Sequence, residues 1–377
     1  MPTPLTLDRA RRFLVAHCGL DRDRYSADAA GVRALLAARR CIQLDPLDRI
    51  GTNADLVCLA RIPDLYKGDV YRHLLPGAAF EHFAKERCLL PASAFPAYRD
   101  QAAETPWWRL AERYQRVPAP VIADVLAEVS ARGPLAAAEL TDRGRVTPID
   151  WHGWKSTSRM ATMALQILWT RCQVVVCARR GRDKVYDVPD RALPAWARRP
   201  APTESFGHWG AVERVAAAGL LKTAGGPQWS VLSPWRKAVT RDLVAEGALT
   251  LYQLPDTRRT WLGPPDLLDR SWPEPDDRMR ILGPLDPLLW DRVLVQRAFD
   301  FTYLWEVYKP AAQRRWGYYV CPLLHRGRLV GRVEAHVQDG RVVVDQLWRE
   351  DPGFDEGAWR RCLDRHEAAV CAVGGTR

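Results

Sequence analysis

Gln43 and Asp45 stand two residues apart in the segment Cys41-Ile42-Gln43-Leu44-Asp45. In extended backbone alternate side chains share a face, so an amide and a carboxylate at this spacing can address one water molecule or one charged centre. The pair has a simpler use as well. Asp45-Pro46 is a turn-starting dipeptide, and Asp45 can cap the segment that follows it. Spacing alone favours the cap.

Other chemistries have little support. The nine cysteines include no CxxC pair; the closest two, Cys172 and Cys177, bracket a β-branched run and read as reduced, small apolar residues. HExxH and clustered His or Cys ligands are absent, so neither a metal nor another cofactor is expected. The formal charge is +10, and of the 55 basic residues seven are lysine and 48 arginine. A surplus of this size favours a polyanionic partner. With no membrane-type amphipathic helix or apolar run of about eighteen residues, nucleic acid leads over a membrane surface. The start, MPTPLTLDRARR, lacks the order of a signal peptide, so a soluble, cytoplasmic protein is expected, and a monomer is expected as well.

The elements that must position Gln43 and Asp45 follow from periodicity. Apolar residues recur at helical spacing over 7–17 and again over 27–39, and the Gln43–Asp45 segment comes directly after this second helix. After the break Val117-Pro118-Ala119-Pro120, helices are expected over 121–131, 134–140 and 156–171, then strands over 173–178 and 184–188 around the turn 179–183. Three helices and a β-hairpin are the order of a winged helix. A degraded copy follows, with helices over 206–220 and 233–246 and wing strands over 249–254 and 259–262. The N-terminal helices suggest a third copy without a clear wing. Beyond Pro273-Glu274-Pro275-Asp276-Asp277, stretches 318–324, 328–337 and 341–347 alternate between the turn dipeptides Arg326-Gly327 and Asp339-Gly340, a β-meander or small barrel, and 359–370 closes as a helix. The expected class is α+β, divided as 1–115, 116–200, 201–272 and 278–377.

Several stretches carry a resemblance: Gln43-Leu44-Asp45, Phe80-Glu81 with Leu89 to Pro91, Lys184 to Arg191, Gly283 to Arg292, Glu306 to Ala311, Arg315 to Val320, and Leu329 to Arg332. Together they resemble, in order and over nearly the whole chain, the winged-helix DNA glycosylases of the AlkZ and YcaQ type. The resemblance implies tandem winged helices with a β-rich C-terminal domain, and removal of bulky alkylated bases with unhooking of interstrand crosslinks. It also implies self-resistance to a DNA-alkylating natural product, in the bacterial nucleoid. Its catalytic signature is Gln, an apolar residue, then Gln or Asp, which assigns catalysis to Gln43 and Asp45. The sequence departs from the family at Gly51-Thr52-Asn53-Ala54-Asp55 and at His82-Phe83-Ala84-Lys85, where divergence of substrate-facing positions is expected.

On that reading the chemistry is simple. A guanine alkylated at N7 is cationic and leaves neutral, so Asp45 would stabilise an oxocarbenium-like sugar and accept a proton from water, while Gln43 orients that water. With few lysines, hydrolysis is favoured over a Schiff base. The expected partner is double-stranded DNA carrying an alkylated purine. Its contacts are expected at Lys155, Ser156 and Arg159, at the start of a recognition helix, at Arg179, Arg180 and Arg182 in the wing turn, and at Arg332 and His336, which alternate with Glu334 along one strand. Each of these residues also reads as ordinary solvated surface. A non-catalytic winged-helix regulator, or a protein that sequesters a genotoxin or its adduct, would share the composition and differ at Gln43-Leu44-Asp45.

Overall fold

The computed structural model describes residues 1–102, 104–149, 157–181, 183–201 and 205–372. Lys155, Ser156 and Arg182, with Trp151 and Trp154, lie outside the described residues. The chain forms two compact units, one of Met1–Val70 with Gly207–Arg377 and one of Tyr71–Phe206, a different grouping from the four consecutive segments expected.

In the unit Tyr71–Phe206 a winged helix is built as its residues dictate. Pro118 precedes the helix Ala119–Arg132, where Pro120 is tolerated because first-turn N–H groups lack helical partners anyway. The expected second helix over 134–140 is instead a strand, Leu135–Ala136, and one 3-10 turn, Ala137–Glu139. Leu135 pairs with Tyr186 and so completes a three-stranded sheet with the hairpin Val175–Arg180 and Asp183–Asp187, which outweighs the helix propensity of the alanines. The third helix begins four residues later than expected, at Met160–Thr170, because Ser158–Arg159 pairs with Arg145–Val146 as a short strand. That helix buries Ala161, Met163, Ala164, Leu165, Ile167, Leu168, Trp169 and Thr170.

The second copy lies in the other unit and repeats the order. Helix Phe206–Ala218, strand Leu221–Lys222, a 3-10 turn at Ser230–Leu232 and helix Arg236–Ala245 lead into the hairpin Thr250–Gln253 and Thr260–Gly263, with Leu221 paired to Leu262. Thr3–Pro4 adds a parallel strand to Thr250–Gln253. A third run of the same order follows the N-terminal helix Leu7–His17: helix Ala29–Arg39, strand Ile42–Gln43, helices Asn53–Leu59 and Asp69–Leu74, and strands Ala79–Phe83 and Arg87–Pro91. The wing not legible in the sequence is this last hairpin, whose strands AFEHF and RCLLP bury both faces and therefore do not alternate.

The C-terminal sheet runs Arg280–Ile281, Val320–His325, Arg328–Gln338, Arg341–Arg349, all antiparallel. Its apolar face packs Tyr319, Cys321, Leu323 and Val333 against Trp359 and Val370 of the closing helix Glu356–Cys371, and also against Ile50 and Leu56. Ile50 and Leu56 flank the Asn53 end of the segment that carries the candidate site. Among the described residues no helix is long and apolar enough to cross a membrane.

Candidate active site

The strand carrying Gln43 ends there, so sheet pairing does not hold Asp45. Each residue is instead fixed by its own contact. Asn53, fully buried at the start of helix Asn53–Leu59, donates from Nδ2 to the Gln43 carbonyl at 2.8 Å. Its Oδ1 accepts the Leu285 N–H at 3.1 Å, so one amide ties the Gln43 backbone to the loop Gly283-Pro284-Leu285. That loop can come so close only because residue 283 is glycine: a Cβ there would stand 2.7 Å from Asn53 Oδ1. Helix Asn53–Leu59 is held by a capping box between Thr52 and Asp55, with the second Asp55 oxygen accepting the Gly68 N–H at 2.8 Å.

Asp45 does act as a cap: Oδ1 accepts the Leu47 N–H at 2.9 Å. Capping uses one carboxylate oxygen and leaves the other. The carboxylate is more than half-buried, and burial pushes its pKa up from the ordinary value, partly offset by the Leu47 hydrogen bond, with no cationic neighbour contributing. Nearby charges are neutralised locally. Lys67 Nζ lies 2.7 Å from Asp48 and Arg49 Nη2 lies 3.9 Å from Asp345. The buried Tyr319 hydroxyl has its pKa pushed well up, first by burial and also by the charges of Cys321, Asp45, Tyr303 and Asp48. Asp45 therefore sits within electrostatic reach of an aromatic ring that keeps its proton.

The loop between these anchors is stiff. Ile50 is buried and its carbonyl meets His366 Nε2 of the closing helix at 2.8 Å, while burial lowers the His366 pKa and favours its neutral form. Three of the positions that depart from the family make structural contacts. Asn53 and Asp55 hold the segment as described, and His82 is buried among Tyr98, Trp107 and Trp169, with its pKa lowered to about 4 by burial.

A model of the AlkZ-like DNA glycosylases matches residues 27–372. The chain belongs to this family. Its structure is similar to that of the Streptomyces sahachiroi DNA glycosylase AlkZ, with a TM-score of 0.60 and 16% identity over 98% of each chain. Mixed helices and small sheets in winged-helix order thus agree with the expected fold.

The other described residues singled out in the sequence each have partners within the protein. Arg159 does not open a helix with free donors; its guanidinium donates to the carbonyls of Ala137, Ala138 and Leu140 at 2.8, 3.1 and 2.6 Å. Arg179 pairs with the fully buried Glu81 and lies over the Tyr71 ring, and the exposed Arg180 pairs with Glu139 at 2.9 Å. Arg332 is 2% exposed, not groove-facing: its Nε and Nη2 each reach Glu350 at 2.8 Å, and it stacks on Trp316 and Phe301. The register shift opposite Glu334 and Ala335 puts the extra residue, Asp345, in the partner strand Arg341–Arg349, so Arg332 and His336 keep their alternation and differ in burial instead. His336, near the hairpin end, meets Asp345 at 3.0 Å, which raises its pKa. Asn53, Gly283 and Tyr319 are the site residues that sequence reasoning missed. Asn53 belongs to a stretch noted only as a departure, and nothing in the spacing signals its bond to Gln43.

Proposed function

We propose that the protein is a monofunctional DNA glycosylase that hydrolyses the N-glycosidic bond of bulky alkylated nucleotides, N7-alkylguanine foremost. The observation that carries this reading is Asp45: a half-buried carboxylate with one backbone donor and, among the described residues, no cation at ion-pairing distance. Such a group is costly to hold ionised, and a positive charge arriving in the substrate relieves that cost. In N7-alkylguanine the leaving base is already cationic. The C1′–N9 bond breaks with its electron pair going to the base, which departs neutral, and the sugar is left as an oxocarbenium ion. Asp45 stabilises that ion and takes the proton as water adds to C1′, with Gln43 orienting the water.

Hydrolysis is favoured over a lyase step because lysines are few and three of their amines are already paired with carboxylates. Lys67 pairs with Asp48 at 2.7 Å, Lys309 with Glu306 at 2.7 Å, and Lys184 with Glu81 at 3.3 Å. Lys184, whose pKa burial lowers to about 8, is the one to watch. Borohydride added during turnover should trap no protein–DNA adduct, and a covalent band would replace hydrolysis with Schiff-base chemistry.

The reading extends to crosslink unhooking, to self-resistance against a DNA-alkylating natural product and to a monomer acting on duplex DNA in the cytoplasm. Mass spectrometry of bases released from DNA treated with different alkylating agents tests the core of it. Release of an N7-alkylated purine, leaving alkali-labile sites, is the expected result. Tight binding to adducted DNA with no release would favour sequestration, and indifference to the adduct would favour a regulator.

A further inference from the structure

Tyr308 is the most exposed aromatic side chain among the described residues, at 87%, yet it stands on one of the best-braced loops of the protein. The brace is Glu306, 2% exposed, whose carboxylate accepts Lys309 Nζ and the Trp316 N–H, each at 2.7 Å, while its carbonyl accepts the Lys309 N–H at 2.9 Å. Arg314 Nε closes the loop on the Lys309 carbonyl at 2.9 Å. Beneath Tyr308 lies Trp305, ring centroids 5.9 Å apart and nearly edge-on, and Trp305 in turn contacts Tyr319 at 6.3 Å. Tyr319 is the ring that senses the charge of Asp45. A file of three rings therefore runs from the neighbourhood of the candidate catalytic carboxylate to an exposed ring. The indole N–H of Trp305 is buried and without a partner, so the file is held by packing and not by that donor.

Next to it the guanidinium of Arg332 lies 3.9 Å from the centre of the Trp316 ring, and that of Arg315 lies over the same ring at 4.7 Å. Arg332 is spent on Glu350, but Arg315 is exposed and, among the described residues, has no carboxylate partner. An exposed ring on a fixed support loses little conformational freedom when a flat group covers it, and a stacked arginine keeps its charge aimed while its donors stay free.

We infer that Tyr308 is a stacking platform for a flat π-system of the substrate DNA and that Arg315 takes a phosphate beside it. This deepens the glycosylase reading and rests on it. The flat group has two sources, the nucleobase or a polycyclic aromatic portion of the adduct. Stacking tolerates either, since both present a π-face.

The test uses the full chain as wild type and as Tyr308→Ala, Tyr308→Phe and Arg315→Ala. The probes are two duplexes, one with a single N7-methylguanine and one with an N7-guanine adduct bearing a planar polycyclic group. Base release under single-turnover conditions and binding by fluorescence anisotropy are read in parallel. Tyr308→Ala should weaken binding by about 10-fold, with Tyr308→Phe within about twofold of wild type, as expected for loss of one stacked ring. Weakening on both duplexes makes the nucleobase the stacked group; weakening on the polycyclic duplex alone makes it the adduct. Arg315→Ala should reduce the salt slope of binding by about one. Unchanged binding of both duplexes by Tyr308→Ala overturns the platform, whether or not the wild type releases a base. Release by neither duplex together with Tyr308-dependent binding would overturn the glycosylase reading and leave the platform standing.

Discussion

Asp45 and Glu81 are both carboxylates removed from bulk water, and the protein treats them in opposite ways. Glu81, at 0% exposure on the strand Ala79–Phe83, is closed in by Arg179 and by Lys184 at 3.3 Å, with Arg87 and Lys184 also lying over the Trp169 ring at 5.4 and 5.5 Å. Its charge is balanced inside the wing. Asp45 has been given one backbone N–H and no cation among the described residues. A balanced buried pair stabilises a fold only while both partners are present. An unbalanced carboxylate does the reverse: it costs the folded state something, and it holds a field ready for a positive charge that the protein does not itself supply. The contrast separates a charge used for architecture from a charge held for chemistry, although the sequence shows both as an acidic residue in an apolar stretch.

The largest effect should come from Asp45→Asn. Loss of the carboxylate is expected to slow base release by about 10²-fold or more, as for removal of a general base or an electrostatic stabiliser, while the fold is kept because an amide oxygen can still accept the Leu47 N–H. A folded variant with undiminished release would remove Asp45 from the mechanism. The pH dependence has a definite sign. Burial raises the folded-state pKa of Asp45, so the ionised, active form is lost as pH falls through a value above that of an unperturbed aspartate, and the acid limb of release should sit there. The folded state binds that proton more tightly than the unfolded chain does. Asp45 therefore favours folding below the unfolded pKa, and that contribution is lost as pH rises through the folded one. At neutral pH the Asn variant should melt no lower than wild type, as thermal denaturation would show.

Glu81→Gln should show the opposite signature. Removing one member of a buried charge cluster leaves Arg179 and Lys184 uncompensated, with an expected loss of about 3 kcal/mol in urea unfolding. Any loss of activity should follow the loss of folded protein. If this variant proved as stable as wild type while Asp45→Asn was destabilised, the distinction between the two carboxylates would be inverted.

Gly283→Ala probes how the open carboxylate's neighbourhood is held. A methyl group 2.7 Å from Asn53 Oδ1 must push the Gly283-Pro284-Leu285 loop or Asn53 aside. Overpacking of this kind costs about 1–3 kcal/mol, and the displaced Asn53 would loosen the Gln43 carbonyl. Release should fall further than the stability loss explains, measured as kcat at a temperature where the variant is folded.

Much of the architecture was legible because helical and alternating periodicities report burial directly. The helix expected over 7–17 is found at Leu7–His17, and the meander over 318–347 is the C-terminal sheet. What stayed hidden was set by partners distant in sequence. Leu135–Ala136 is a strand because Tyr186 and Val185 pair with it, and the hairpin of Ala79–Phe83 and Arg87–Pro91 does not alternate because both faces are covered. The same holds for the site. Gln43-Leu44-Asp45 could be picked out, but the cap at Leu47 and the tie through Asn53 to Leu285, 232 residues away, could not. Arginines were the least legible residues, because their charge suggests DNA whether or not their donors are already occupied.

That last point gives the most discriminating expectation. Arg332 gives Nε and Nη2 to Glu350 at 2.8 Å and Nη2 also to the Thr302 carbonyl at 3.1 Å, and its charge is balanced as Glu81's is. Replacing it with alanine should cost stability, by about 2–4 kcal/mol as for truncation of a large buried side chain, since Phe301 and Trp316 lose the guanidinium packed on them. It should leave the salt slope of DNA binding unchanged, because a guanidinium neutralised within the protein releases no counterion from a phosphate. A slope that fell by about one on removing Arg332 would mean that this residue exchanges Glu350 for a phosphate in the complex. The line between closed and open charges would then be a property of the free protein alone.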